Sequence, residues 1–223
     1  MWPSAENLLT YGAGLSDNTQ SLEPEKGKTW ELGTKWQLLD ERLQLEGALF
    51  RVVKDNVRER LSDGSNLLAG KQRVQGLELA ATGALTEKWH VFANYTLQSS
   101  ETLKSLANPE RVGQALKNTA PRSFNLWTAY QLPSDITLAY GIRHVGKRNL
   151  TSQDQVKLDA YWVHDAMLGY RASDNLELQL NLSNLTDQKY VERVRTVIGS
   201  DTRSSAVEFG DGRAAVLSSV YRF

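Results

Sequence analysis

Leu176, Leu178, Leu180 and Leu182 alternate without a break with Glu177, Gln179, Asn181 and Ser183, and no other feature of this chain constrains its fold as much. An extended strand turns successive side chains to opposite faces. The segment therefore puts leucine into one solvent and carboxylate and amide into another. The same period of two recurs in Trp89, Val91, Ala93, Tyr95 and Leu97 against His90, Asn94, Thr96 and Gln98, with Phe92 out of pattern. Ile136, Leu138, Tyr140 and Ile142 alternate with Thr137, Ala139, Gly141 and Arg143. A noisier closing strand sets Leu217, Tyr221 and Phe223 against Val216, Ser218 and Arg222.

The connections come in two sizes, and the sizes alternate. Turn-forming residues stand at Asp40-Glu41, Thr86-Glu87, Pro133-Ser134 and Ser173-Asp174-Asn175. Long polar stretches run from Leu15 to Lys28, Val57 to Gln72, Glu101 to Asn118, Asn149 to Val156 and Val194 to Ala206. Short turns at one end and long loops at the other are the plan of a bacterial outer-membrane barrel. The pattern predicts an all-β, antiparallel up-and-down transmembrane barrel segment of roughly ten strands, counting one through Leu8 to Ala13. A soluble β-sandwich, such as a carbohydrate-binding lectin, shares the alternation. Against it, the segments run to about 10–15 residues, longer than ordinary globular strands and long enough for tilted membrane strands. Aromatic pairs also sit toward strand ends, at Trp30 and Trp36, Trp89 and Tyr95, Phe124 and Tyr130, and Tyr161 and Tyr170, as two interfacial girdles would require.

Composition agrees with this and removes other classes. The chain carries 26 basic and 26 acidic residues, spread evenly, so it has no basic stripe for a nucleic acid. It has no cysteine, and so no disulfide, thiolate zinc site or thiol nucleophile. No run of about 18 apolar residues could form a spanning helix. A barrel presents only alternate residues to lipid, which makes a mean hydropathy of −0.45 ordinary. Met1-Trp2-Pro3-Ser4-Ala5-Glu6 lacks the features of a secretory signal, so an exported protein beginning this way is expected to have lost an upstream segment.

Catalysis finds little support. His90, His144 and His164 form no metal-binding spacing, Gly12-Ala13-Gly14 lacks the rest of a nucleotide fingerprint, and no G-x-S-x-G elbow exists. Glu23 and Glu25 fall in a loop that would not hold them at a catalytic separation. Asn149-Leu150-Thr151 is a glycosylation triplet without meaning in a bacterial envelope. Gly33 and Gly47 read as strand positions where a sheet bends, and Asn184, Thr186 and Asp187 as residues that bend a strand tip through local hydrogen bonds. The remaining chemistry is binding. If Ile136 to Ile142 face lipid, parity turns Arg143 and Lys147 to the lumen near the mouth. Arg193 and Arg195 are expected at the upper end of the next rising strand, with Arg58 and Arg60 at that of an earlier one. Cations so placed could attract an anionic chelate.

Seven segments in order resemble the TonB-dependent outer-membrane receptors. Leu22-Glu23-Pro24-Glu25 through Glu31-Leu32-Gly33-Thr34-Lys35-Trp36 is similar to that family's L-x-P-E and E-x-G-x-K. Val74-Gln75-Gly76-Leu77-Glu78-Leu79, Ala93-Asn94-Tyr95-Thr96 and Ala120-Pro121 through Leu126-Trp127 follow. After them come Tyr161 to Asp165 with Tyr170, Asn181-Leu182-Ser183-Asn184-Leu185-Thr186-Asp187-Gln188-Lys189-Tyr190, and Gly210-Asp211-Gly212-Arg213 leading to Tyr221-Arg222-Phe223. The resemblance covers residues 22 to 223. It implies that residues 1–223 are the C-terminal part of a 22-stranded barrel, without the plug domain and the first barrel strands. The localisation it implies is the bacterial outer membrane, and the ligand a ferric siderophore, with wording around Trp30 to Lys54 and Tyr161 to Tyr170 closest to the catecholate type. It implies energy supplied by TonB through the missing N-terminal region. Tyr221 and Phe223 would form the C-terminal signal read by the barrel-assembly machinery. Outer-membrane lipid is the remaining partner, and neither a cofactor nor a resident metal is expected. A passive porin or structural barrel is the alternative within membrane barrels.

Overall fold

The computed structural model describes residues 24–61, 66–150, 156–196 and 205–223; the strand expected through Leu8 to Ala13 lies outside them. The first strands are β1 (Lys26–Leu38), β2 (Leu43–Arg60), β3 (Asn66–Thr86), β4 (Trp89–Lys104), β5 (Arg122–Leu132) and β6 (Ile136–Val145). Two short ones, β7 (Arg148–Asn149) and β8 (Lys157–Leu158), precede β9 (Tyr161–Arg171) and β10 (Leu176–Ser183). Then come β11 (Val191–Thr196), β12 (Ser205–Phe209) and β13 (Ala214–Tyr221). Nine strands form one antiparallel sheet in the order β1-β2-β3-β4-β5-β6-β9-β10-β13, while β11 pairs with β12 and β7 with β8 outside it. The single helical turn among the described residues is Pro109–Arg111.

Turn chemistry sets the short end. Leu39, Asp40 and Glu41 all take positive φ between β1 and β2, as do Ser134 and Asp135 between β5 and β6, conformations that Asp and Ser tolerate better than branched residues. The long end departs from expectation. Much of Val57 to Gln72 is strand, because β2 continues to Arg60 and β3 starts at Asn66. A register shift at Asp55 to Arg58, with Asn56 at φ 57°, bends that extension. Likewise β4 continues to Lys104, and Val194 to Ala206 contains parts of β11 and β12. Hairpin ladders there outrun the amphipathic segments, since backbone pairing does not require an apolar face.

Register converts the alternation into two faces. Leu178, Leu180 and Leu182 stand opposite Tyr170, Leu168 and Ala166 of β9 and opposite Ser219, Leu217 and Ala215 of β13. Farther along the sheet, Leu32, Leu49, Leu77 and Leu97 are successive partners on the same face. On the other face Lys35, Glu46, Ala80, Asn94, Asn125 and Arg143 form one row. Its polar groups satisfy one another: Lys35 Nζ lies 2.9 Å from Glu46 Oε1, and Asn125 Nδ2 donates to Asn94 Oδ1 at 3.0 Å. Phe92 belongs to this polar face, beside Trp127. Trp127 in turn lies flat over Gly141, where a Cβ would stand 2.7 Å from the indole Cε3.

No second layer covers the apolar face among the described residues. Trp30, Leu32 and Leu217 are 60%, 61% and 72% exposed, which a soluble sandwich would not tolerate across a whole face. In a bilayer those side chains are solvated by acyl chains, and the sheet satisfies the backbone groups that lipid cannot. Aromatics mark the short-turn edge of this face: Trp36, Trp89, Tyr130, Tyr170 and Tyr221 all lie near strand ends there. Within it, the Tyr140 hydroxyl meets His164 Nδ1 at 2.5 Å, so two polar groups on an apolar face satisfy each other.

Candidate ligand-binding surface

The chain leaves the sheet after Ser183 and re-enters it at Ala214, and the knot that fixes this excursion is Asn184. It is 2% exposed, sits at φ 48°, and donates through Nδ2 to the carbonyls of Gln188 and Asp211, both at 3.0 Å. Its Oδ1 accepts from Gln188 N at 2.9 Å, while Asp187 Oδ1 accepts from Arg213 N at 3.0 Å. One amide thus joins the outgoing and returning chain, which is the strand-tip role read from Asn184 and Asp187. The excursion turns Tyr190 back onto the polar face, 4.4 Å from Tyr161 between ring centroids. With Val163 they form a small buried cluster against Val145.

Arg143 reaches this cluster. It lies on the polar face opposite Asn125 and Val163, as parity required. Its Nη2 donates to the Tyr190 hydroxyl at 2.9 Å, its Nη1 lies 3.4 Å from Glu192 Oε1, and its guanidinium stands 5.5 Å from the Tyr190 ring centroid. A second cation, missed by sequence, approaches from the β6–β9 connection. Arg148 is 5% exposed and lies 5.7 Å from the Tyr161 ring centroid. It donates from Nε to Asn118 Oδ1 at 2.9 Å and from Nη2 to Val191 O at 2.7 Å. Burial pushes its guanidinium below the ordinary value, against a partly compensating Tyr161. Its Nη1 has no hydrogen-bond partner among the described residues. Gly146 ends the alternation before Arg148, so no period pointed to it.

The other expected cations are distributed differently. Lys147 is an exposed loop residue 3.4 Å from Asp159, a pair worth little in water. Arg193 and Arg195 lie on β11, in the separate hairpin and not on a rising strand of the main sheet, because the Asn184 knot diverts the chain first. Arg58 and Arg60 do lie at the far end of β2. There Arg58 borders a cavity of about 420 Å³ with Lys104, Arg111 and Lys117. The acid in that lining, Glu59, is already engaged, its Oε2 accepting from Leu106 N at 2.8 Å and Ala107 N at 3.1 Å. Desolvation raises its carboxyl, but bonds from Ser105, Ala107 and Leu106 with the charge of Arg111 outweigh this and hold it below the usual range. The β4–β5 connection closes over the polar face here, with Leu116 N donating to Ser100 Oγ at 3.1 Å. Two cationic positions therefore lie toward the long-loop end, one around Arg143 and one around Arg58.

At the opposite end Tyr221 and Phe223 pack edge to face, with centroids 5.2 Å apart. The terminus is tied to the β9–β10 turn through Arg222 N to Asn175 O at 2.9 Å and Asn175 Nδ2 to Arg222 O at 2.7 Å.

One apolar face, one polar face, short turns and long loops define a segment of a transmembrane β-barrel of the bacterial outer membrane. Residues 3–185 match the family described as TonB dependent receptor-like, beta-barrel. The chain belongs to that family. It is 40% identical over 192 residues to the catecholate siderophore receptor Fiu of Escherichia coli K12, covering 84% of this chain and 25% of Fiu. It is 32% identical over 225 residues to the probable TonB-dependent receptor BfrD of Bordetella pertussis, covering 97% of this chain and 29% of BfrD. The crystal structure of the siderophore receptor PiuA from Acinetobacter baumannii superposes with a TM-score of 0.84 at 30% identity, over 93% of this chain and 30% of PiuA. The closed form of the ferric-catecholate import receptor Fiu from E. coli K12 gives 0.78 at 34% identity, over 95% of this chain and 30% of Fiu. The chain thus spans less than a third of the length of these relatives.

Proposed function

We propose that this chain contributes to an outer-membrane receptor that imports a ferric siderophore of the catecholate type, with energy supplied through TonB. The observation that carries the reading is the 40% identity to a catecholate siderophore receptor across most of the chain. The polar face supports it, since Arg143 and the Arg58, Lys104 and Arg111 group offer cations toward the long-loop end, and a ferric catecholate is anionic. Binding and transport are the whole of its chemistry in this reading, with no catalytic step and no resident cofactor. Arg193, Arg195, Arg60 and Lys147 supply further positive charge around the mouth. Tyr221 and Phe223 present the C-terminal signal to the barrel-assembly machinery.

The test is uptake of radioiron by the producing bacterium with its receptor gene deleted and then restored. Restoration should recover uptake of ferric catecholates and not of ferric hydroxamates. Arg143→Ala and Arg58→Ala should each lower apparent affinity about five- to tenfold, the effect of losing one charge-assisted contact. Catecholate uptake unchanged by the deletion would overturn the reading.

A further inference from the structure

On the lipid-facing side, at the boundary where the apolar band gives way to polar residues, the sheet holds a groove of about 870 Å³. That volume lies within the roughly 300–1,000 Å³ of small-molecule sites. Leu49, Leu77 and Leu97, successive partners on β2, β3 and β4, line it with Trp30 of β1 beside them. One step toward the long-loop end the same face changes character: Trp30, Arg51, Gln75 and Ser99 are the next row of partners. The groove therefore has an apolar body and a polar rim containing one guanidinium.

The charges around it are uneven. Arg51 makes no ion pair or side-chain hydrogen bond among the described residues, and neither does Arg122, which ends the leucine row opposite Leu97. The acids farther along this face are engaged, Glu101 by Arg73 and Asp55 by Lys71. Among the described residues, then, Arg51 stands at the rim of an apolar groove without a charge partner, and Arg122 stands beside Leu97 in the same condition. We propose that the groove binds a phosphorylated lipid of the outer leaflet, with an acyl chain along Leu49, Leu77 and Leu97 and the headgroup phosphate on Arg51, assisted by Gln75 and Ser99. A guanidinium suits this role because its fork donates two parallel hydrogen bonds to one phosphate. The site is on the opposite face of the sheet from Arg143 and is independent of siderophore import.

The experiment uses the receptor purified from its own outer membrane and placed in nanodiscs of neutral lipid doped with phosphorylated lipopolysaccharide carrying brominated acyl chains. Native mass spectrometry counts retained lipid, and the bromine quenching that is lost on Trp30→Phe reports an acyl chain near Trp30. Arg51→Gln should lower retention about fivefold, the effect of one cation at a membrane surface, Arg51→Glu should lower it further, and Arg51→Lys should keep most of it. Arg171→Gln, near the short-turn end, should change nothing. Heat-modifiable gel mobility identifies variants that fold, and only those are compared. Equal retention by Arg51→Glu, or of dephosphorylated lipid by the unchanged protein, would overturn the proposal. Displacement of the lipid by millimolar inorganic phosphate would overturn it in favour of a free-ion site.

Discussion

Gly210 and Tyr190 occupy adjoining space so closely that a Cβ on Gly210 would stand 1.9 Å from Tyr190 Cζ. The two backbones are also joined, Gly210 N donating to Tyr190 O at 3.0 Å. The phenol can lie on Tyr161 and accept from Arg143 because the returning chain has no side chain there. Gly210→Ala is expected to expel the ring and destabilise the barrel by about 1–3 kcal/mol, as overpacking does. A urea-unfolding midpoint in detergent measures it, and a midpoint equal to wild type would show that the ring moves freely.

Asn184→Ala should cost more. It leaves two carbonyl acceptors and one amide donor without partners at a site 2% exposed, and each unsatisfied buried group costs about 1–3 kcal/mol. Asn184→Asp keeps the acceptor and loses both donors, so it should fall between wild type and alanine. The same unfolding assay ranks the three, and aspartate equal to wild type would count against the donor role.

Arg148 joins the β6–β9 connection to Asn118 of the β4–β5 connection and to Val191 at the start of β11 by a fork that lysine cannot reproduce. Arg148→Lys is expected to leave the main sheet intact while the two connections become more sensitive to limited proteolysis, by about tenfold in cleavage rate. Global unfolding should shift little. Unchanged cleavage would mean that Asn118 and Val191 are held by other contacts.

Acid should release the β4–β5 connection. The Glu59 carboxyl is held below its ordinary value of 4.5 in the folded protein, so folding favours its ionised form. Its contribution is full above that value and is lost as pH falls through the lowered folded pKa. Amide exchange at Leu106 and Ala107, corrected for intrinsic rate, should therefore rise as pH drops below the ordinary value and through the lowered folded one. Glu59→Gln should show fast exchange at neutral pH and no such step.

The sequence by itself determined the amphipathic strand segments and their faces, though not how far the ladders run past them, because a period of two forces alternate residues into different solvents wherever the backbone is extended. The leucines of β10 and the place of Arg143 on the polar face follow from parity alone, and the turns at Asp40-Glu41 and Pro133-Ser134 from residues that accept positive φ. Parity holds only within an unbroken strand. It ends at Gly146 before Arg148, at the bulge before Arg58, and at Asn184 before Arg193, so where those three cations lie depended on the path of the connections. Tertiary structure decided that Arg148 is buried beside Tyr161, that Arg193 belongs to a separate hairpin, and that Arg58 shares a cavity with Lys104 and Arg111. These placements rest on hydrogen bonds between residues tens of positions apart, such as Arg148 with Val191 and Glu59 with Leu106, and such pairings leave no periodic trace in the chain.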